Sequence, residues 1–381
     1  MTPTLLAAVL AFAAAAALIP PIRKAALTLG ITDVPAQGKV HRKVTPYMGG
    51  VAIAAVALVG SSLLHDWEIE ATVILAAACL VGGIGFIDDL RTVGPGKRLL
   101  VEVLAASMVF AAGARVQLVG GVGDWALTVA WLVVITNAFN LLDNMDGCAA
   151  FMATVTGLGL AVAAHLEGQV LVAGMAALVA GASAGFLVHN WHPARIFMGD
   201  AGSLFLGFLL ATIALKLRFP VPHIDGAVAV AFLAAPALFD TTLVVISRAQ
   251  AHRPIWIGGT DHTSHRLRDL GLGTRLVSAV MATSTAACCA LGILIGRGLV
   301  PTLYALAPAC AVGVVLLVLL LRIPVYERGA GREFTPRSEE ERLDRGDLPS
   351  DGVAGQRRVS TGRGGDSGSP FPDLRRVRPG L

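Results

Sequence analysis

This sequence is short of charge. Asp, Glu, Lys and Arg make up 15% of its 381 residues, against 55% hydrophobic residues, and the mean hydropathy is +0.70. About a quarter of the residues of an ordinary soluble domain are charged, so that class is excluded and a polytopic helical membrane protein is expected. Cysteine is also sparse. The five present, Cys79, Cys148, Cys288, Cys289 and Cys310, have neither the spacing of a metal site nor that of an extracellular disulfide framework, so they are expected to behave as small buried hydrophobes without a disulfide. The first apolar run, residues 4–20, lacks a basic leading segment and a cleavage site, which argues for a retained span rather than a removed signal peptide. A formal charge of +4 is too small to point to a nucleic-acid partner.

What is present is a series of apolar runs long enough to cross a bilayer. They lie near 3–22, 47–64, 71–88, 98–114, 124–141, 147–164, 169–188, 202–217, 225–247, 275–296 and 300–323. The expected fold class is therefore all-α, an integral membrane protein with about 11 transmembrane helices over residues 1–323. Residues 324–381, rich in Arg, Gly, Asp, Ser and Pro, are expected to form a disordered cytoplasmic tail without a catalytic role. Basic residues gather in alternate connections: Arg23, Lys24, Lys39, Arg42 and Lys43 in the first, Arg91, Lys97 and Arg98 in the third, and Arg248, Arg253, Arg266, Arg268 and Arg275 in the ninth. The positive-inside rule makes these faces cytoplasmic and puts the N-terminus outside.

Four polar clusters fall at the ends of apolar runs, all on the expected cytoplasmic side. Asp88 and Asp89 close the third run. Neighbouring carboxylates repel unless a cation or proton is shared; Mg²⁺ suits them, taking one or two carboxylates together with water and phosphate oxygens. The competing reading is an interfacial acid pair satisfied by Lys97, Arg98 and water. In Thr136-Asn-Ala-Phe-Asn-Leu-Leu-Asp-Asn-Met-Asp-Gly147, helical spacing puts Asn137, Asn140 and Asn144 on one face, with Asp143 and Asp146 three apart. Amides that both donate and accept suit a nucleotide or sugar better than a bare ion. Helix-to-helix hydrogen bonding accounts for one such Asn more readily than for three with two acids. Phe197-Met-Gly-Asp-Ala-Gly-Ser-Leu-Phe-Leu-Gly207 sets Asp200 and Ser203 among glycines at a helix start, where free amides attract phosphate; it lacks the ending of a Walker loop, and a glycine-mediated helix contact is the alternative. The ninth connection, a loop of about 26 residues, carries Arg248, Arg253, Asp261, His262, His265 and Arg266, which fits a diphosphate better than Zn²⁺.

Together and in this order, Asp33-Val-Pro35 with Lys39, His41, Pro46, Gly49 and Gly50, Phe86-Ile-Asp-Asp-Leu90, Asn137 through Gly147, Met198-Gly-Asp-Ala-Gly-Ser203 and His262-Thr-Ser-His265 resemble the motifs of the polyprenyl-phosphate N-acetylhexosamine-1-phosphate transferases. The superfamily also holds the phospho-N-acetylmuramoyl-pentapeptide transferases. The resemblance covers about residues 1–323. It implies transfer of a sugar 1-phosphate, with N-acetylglucosamine 1-phosphate first among candidates, from a UDP-sugar to a polyprenyl phosphate. UMP is released, Mg²⁺ is required with Mn²⁺ as a substitute, and the step stands at the start of cell-envelope polysaccharide assembly. The expected setting is the plasma (inner) membrane with a cytoplasmic active site, and the family leaves room for a homodimer.

The resemblance also implies roles. Asp88 and Asp89 stand beside the acceptor phosphate and the metal, Asp200 and Asp88 ligate the metal, and His262 and His265 serve the catalytic centre at the diphosphate or sugar. Asn137, Asn140, Asp143 and Asp146 hold the uridine and diphosphate region, Arg266 contacts the donor, and Lys39 and His41 receive the lipid phosphate. Three positions depart from the family pattern: Gly38 where Arg usually precedes Lys39, Asn144 in place of Gly, and Ser264 at a place often filled by His. Features of the muropeptide branch are not evident, which favours the N-acetylhexosamine branch. A secondary transporter is the reading from another class, but its carboxylates belong near the bilayer midplane between inverted repeats, and no such repeat is found. An idle lipid-binding homologue is disfavoured because every major acid is retained.

Overall fold

A computed structural model describes residues 2–33, 44–64 and 69–326. They belong to one compact unit, Met1–Ala330. Its elements in chain order are α1 (Thr2–Thr28), β1 (Thr32–Asp33), β2 (Thr45–Pro46), α2 (Gly49–Leu64), α3 (Ile69–Leu90), α4 (Pro95–Ala112), α5 (Gly121–Leu142), α6 (Cys148–Leu166), α7 (Val170–Asn190), α8 (Gly199–Lys216), α9 (His223–Leu233), α10 (Ala235–Gln250), α11 (Thr263–Asp269), α12 (Thr274–Gly296) and α13 (Thr302–Leu321). The protein is all-α and multi-pass, and each of the eleven apolar runs is helical.

The number of spans needs correction. Among the described residues eight helices are long and apolar enough to cross a membrane, and a ninth span results if α9 and α10 are counted together. The run 225–247 is broken by a 72° bend between these two helices. Pro236, in the first turn of α10, supplies the reason: it lacks an N–H and its ring collides with the carbonyl four residues back. Helix α2 has only 16 residues. Helix α4 carries Lys97, Arg98 and Glu102 within 18 residues, which takes it out of a count by composition although it joins the end of α3 to the start of α5. Two cysteines also depart from expectation: Cys79 and Cys310 are exposed on apolar helices, whereas Cys148 and Cys289 are buried.

Helix α8 is the centre of the bundle. Residues 201–215 are all buried, as expected of a helix apolar all round. It is packed against α2, α3, α5, α6 and α7. Lipid removes the hydrophobic drive between helices, so close approach and dispersion must hold them. Small residues provide that approach. A Cβ on Gly50 would lie 2.2 Å from Gly202 Cα, and one on Gly85 would lie 2.4 Å from the Asp200 carbonyl oxygen. Helix α1 rides on α7 in the same way, with the Ala8 carbonyl 2.1 Å from the place of a Gly181 Cβ. Large apolar side chains such as Leu5, Val312 and Leu316 face outward. The antiparallel pair β1 and β2 matches Thr32 with Pro46 and Asp33 with Thr45. Its second strand is stitched to the segment before α8, where Phe197 N–H donates to the Pro46 carbonyl and Gly49 N–H to the Phe197 carbonyl, both at 2.9 Å.

Candidate active site

One end of the bundle gathers the C-terminal ends of α3, α5 and α7, the N-terminal ends of α8 and α12, and the segment joining α10 to α11. These enclose a cavity of about 1110 Å³ lined by Asp88, Asp89, Asp143, Asp146, Asp200, His262 and His265, among others. Four clusters separated by up to 177 positions in the chain therefore meet in one place.

The two adjacent acids have different work. Helix α3 ends because Gly94-Pro95 starts α4, with proline in the first turn where its missing N–H costs nothing. Asp88 closes the turn by accepting the Val93 N–H. Asp89 reaches across to α8: its Oδ1 accepts the Asp200 N–H at 2.8 Å and its Oδ2 the Ala201 N–H at 3.0 Å. It therefore caps α8 from another helix, satisfying amides that have no intrahelical partner and facing the positive end of the helix dipole. Gly199 makes room for this. Its φ is +75°, and a Cβ there would meet Asp89 Oδ2 at 2.6 Å.

Arg98 joins the acids. Its Nη1 donates to Asp88 Oδ2 and to Asp200 Oδ2, both at 2.9 Å, and its Nη2 to Asn140 Oδ1 at 3.1 Å. Asn140 Nδ2 in turn donates to Asp200 Oδ1 at 2.7 Å and to Ser203 Oγ at 2.9 Å. A positive group thus already sits between carboxylates from two helices, in the place a cation would take. The donors are hard oxygens, which suit Mg²⁺ and the one or two carboxylates it accepts beside water and phosphate. Among the described residues no three His, Cys, Asp or Glu side chains converge on one point. Asp88 and Asp200 could hold such an ion only with water or phosphate oxygens completing its shell.

Asp143 follows α5 on the cavity wall. Burial, and then the negative charges of Asp200, Asp89 and Asp146, push its carboxyl up to about 7. That acid cluster holds more negative charge than its own cations balance. Asp146 is occupied from behind: its Oδ2 accepts from His192 Nδ1 at 2.7 Å and from the Ala194 N–H at 3.0 Å. Gly147, at φ +75°, then turns the chain so that its N–H reaches Asn190 Oδ1 at 2.9 Å. Asn144 and Ser264, two of the departures from the family pattern, meet each other, with Ser264 Oγ donating to Asn144 Oδ1.

On the opposite wall His262 lines the cavity with its Nδ1 2.9 Å from Asp240 Oδ2, while the Thr263 N–H donates to Asp240 Oδ1 at 2.6 Å. A carboxylate on Nδ1 sets ring orientation and tautomer and leaves Nε2 for the cavity. His265 is held down at about 4 by burial, then by its neighbours His262 and Arg268, so it is a neutral imidazole near pH 7.

Several sequence expectations are displaced. Arg266 does not line the cavity. It is 1% exposed, and its guanidinium donates to the Asp261, Leu320 and Ile323 carbonyls and to Ser247 Oγ, so it anchors the end of α13 and cannot reach a donor diphosphate. Asn137 also lies off the cavity, one turn before Asn140, bonded to Glu102 Oε2 and the Val133 carbonyl. Lys39 and His41 lie outside the described residues. Sequence reasoning missed Asp240, His192 and Glu102. An acid in the interior of the apolar run 225–247 is the available signal for Asp240; His192 has none, because its partner is 46 positions away.

Residues 71–218 match the family described as Glycosyl transferase family 4. The chain is 33% identical over 269 residues to a Bacillus subtilis protein named as a probable undecaprenyl-phosphate N-acetylglucosaminyl 1-phosphate transferase, covering 68% of this chain and 75% of that protein. It is 31% identical over 302 residues to a decaprenyl-phosphate N-acetylglucosaminephosphotransferase of Mycobacterium tuberculosis, covering 68% and 74%. A phospho-N-acetylmuramoyl-pentapeptide-transferase of Streptococcus suis is 32% identical over 197 residues, 46% of this chain and 59% of that protein. With the acid pair, the turn from Asp143 to Asp146, Asp200 and the two histidines around one cavity, this chain belongs to glycosyl transferase family 4, in the group of polyprenyl-phosphate N-acetylhexosamine-1-phosphate transferases.

Proposed function

We propose that this protein transfers N-acetylglucosamine 1-phosphate from UDP-N-acetylglucosamine to a polyprenyl phosphate, releasing UMP, at the cytoplasmic surface of the plasma membrane. The observation that carries this reading is one cavity at one end of an apolar bundle, where acids from α3, from α8 and from the turn after α5 face two histidines. A lipid acceptor requires a site at a membrane surface; a nucleotide donor requires that surface to face the cell interior. The basic connections that contain Arg91, Lys97, Arg248 and Arg275 adjoin the cavity end, in keeping with the positive-inside rule.

The acceptor phosphate has a second pKa of about 6, so near pH 7 it is already mostly a dianion and needs little help from a base. The obstacle is the approach of two anions. Asp88 and Asp200 would hold Mg²⁺, which when bound supplies positive charge to the donor diphosphate. The remaining tasks fall to this chain's own groups. Asp89 fixes Asp200 by capping α8, since both of its oxygens are taken by α8 amides. Asn140 holds the Asp200 carboxylate from the other side. His262, oriented by Asp240, offers Nε2 to the cavity, and neutral His265 beside it adds a polar contact without adding charge.

The test is UMP release by purified protein in detergent, supplied with undecaprenyl phosphate, Mg²⁺ and UDP-N-acetylglucosamine. Expected are turnover with this donor and a loss of at least about 100-fold in Asp200→Asn, the scale of losing a preorganised electrostatic group. Turnover unchanged in Asp200→Asn would remove the role assigned to it. Exclusive use of UDP-N-acetylmuramoyl-pentapeptide would remove the sugar assignment.

A further inference from the structure

Helices α4 and α5 face each other through two polar rungs. In the first, Arg98 Nη2 donates to Asn140 Oδ1 at 3.1 Å; in the second, one helical turn deeper on both helices, Asn137 Nδ2 donates to Glu102 Oε2. The second rung is incomplete. Glu102 is 1% exposed, and its other carboxylate oxygen, Oε1, has no hydrogen-bond partner among the described residues. A buried carboxylate answered by one amide is costly and needs a cation near it. The positive group close enough to bear on it is Arg98. The two are four residues apart on one helix, where side chains are neighbours, and helical side chains lean toward the N-terminus, which inclines Glu102 toward Arg98.

Arg98 itself occupies the point between Asp88 and Asp200 that a divalent cation would need. Two cations cannot share it. We propose that Glu102 is the receiving group for Arg98: when a divalent cation takes the place between Asp88 and Asp200, the guanidinium moves one turn along α4 and pairs with the free Oε1 of Glu102. Glu102 is then a positioning residue for the transfer reaction, acting through Arg98, and the vacant oxygen on the second rung is the place prepared for the displaced charge. Arg98 offsets part of the charge of Asp88 and Asp200 before the cation arrives and leaves without exposing its own charge to the apolar bundle. The inference rests on the reading that Asp88 and Asp200 take a divalent cation.

The experiment is titration of purified full-length protein in detergent with Mn²⁺ alone, followed by electron paramagnetic resonance, a readout independent of turnover. Glu102→Gln is expected to weaken Mn²⁺ binding by roughly 10-fold, the lower end for groups that orient a metal's ligands, and Glu102→Asp, which keeps the charge, to recover most of it. Arg98→Gln removes the competing internal cation and is expected to tighten binding. In that background Glu102→Gln should have no further effect, because there is no guanidinium left to receive. An equal loss from Glu102→Gln in both backgrounds would mean that Glu102 acts through Asn137, and would overturn the inference, as would unchanged affinity in Glu102→Gln. Should Glu102→Gln not fold, the Arg98 variant decides alone: weaker Mn²⁺ binding in Arg98→Gln than in wild type overturns the proposal. Absence of wild-type Mn²⁺ binding, or binding indifferent to Asp88→Asn combined with Asp200→Asn, removes the cation reading itself and this inference with it.

Discussion

Gly85→Ala tests the geometry of the acid cluster without touching an acid. Gly85 lies three residues before Asp88 on α3, where that helix crosses the start of α8. An added Cβ would stand 2.4 Å from the Asp200 carbonyl oxygen, 2.6 Å from its carbonyl carbon and 2.9 Å from the Ala201 nitrogen. All three are backbone atoms, so no side chain can swing aside, and ordinary contact begins at 3.4 Å. The helices must part by about 1 Å. Such a shift carries the Asp89 bonds to the Asp200 and Ala201 amides, now 2.8 and 3.0 Å, beyond hydrogen-bonding range and moves Asp88 away from Asp200 by a similar distance. Overpacking of this kind costs about 1–3 kcal/mol of stability, so the protein should still fold. A misplacement of about 1 Å at a reacting site costs on the order of 100-fold in rate. The expected result is therefore a fall in the turnover number for UMP release of about that size, with the melting temperature lowered by only a few degrees. Gly83→Ala is the control, since nothing lies within 4 Å of a Cβ at Gly83 on the same helix. Turnover of Gly85→Ala within threefold of Gly83→Ala would refute the claim that the contact between α3 and α8 sets the separation of the acids.

Three further outcomes are expected. Because the folded chain holds His265 at about 4, below its ordinary value of about 6.5, the unfolded chain binds a proton between these limits that the folded chain does not, and stability declines as pH falls through that window; His265→Gln should flatten the melting temperature against pH from 6.5 to 4, and an undiminished slope would count against the assignment. Burial alone would raise the Asp261 carboxyl, but hydrogen bonds from Arg248 and Tyr326 and the charge of Arg248 outweigh it and hold Asp261 below the usual range. The pair therefore persists to lower pH than an ordinary carboxylate would allow. Asp261→Asn should destabilise the protein by about 3 kcal/mol by leaving Arg248 buried and unpaired, whereas Asp261→Leu with Arg248→Met should melt close to wild type; equal losses would show that the ion pair is not the cause. Because Asp146 and His192 both line the cavity and are bonded to each other, Asp146→Asn and His192→Gln should raise KM for the nucleotide donor by similar factors and should not add when combined; additive effects in the double variant would separate their roles.

Arg266 shows how far local reading can carry and where it stops. Next to His265 in a basic loop, its sequence neighbours made it a donor contact; its partners Leu320 and Ile323, more than 50 positions away, make it an anchor for α13. The resemblance sets Asp89 with Asp88 beside the acceptor phosphate, yet its carboxylate caps a helix 111 positions later. Conversely, the sequence offers Arg98 only as a neutraliser of the acid pair; in the fold it pairs with Asp88 and also binds Asp200 on α8. The bend at Pro236 was a local signal inside a run otherwise apolar enough to pass as one span.

The sequence by itself determined the material of each layer: which segments are apolar enough to be helices in a membrane, where each ends, and that four polar clusters share one side of it. Those properties are local, set by composition over about twenty residues and by proline and glycine at the boundaries. Only the tertiary structure decided which acid faces the cavity and which caps a helix, that Arg98 stands between Asp88 and Asp200, and that Asp240 stands behind His262. Those assignments depend on hydrogen bonds between helices brought together by glycine-sized contacts, and a carboxylate in the chain carries no mark of the amide or guanidinium it will meet.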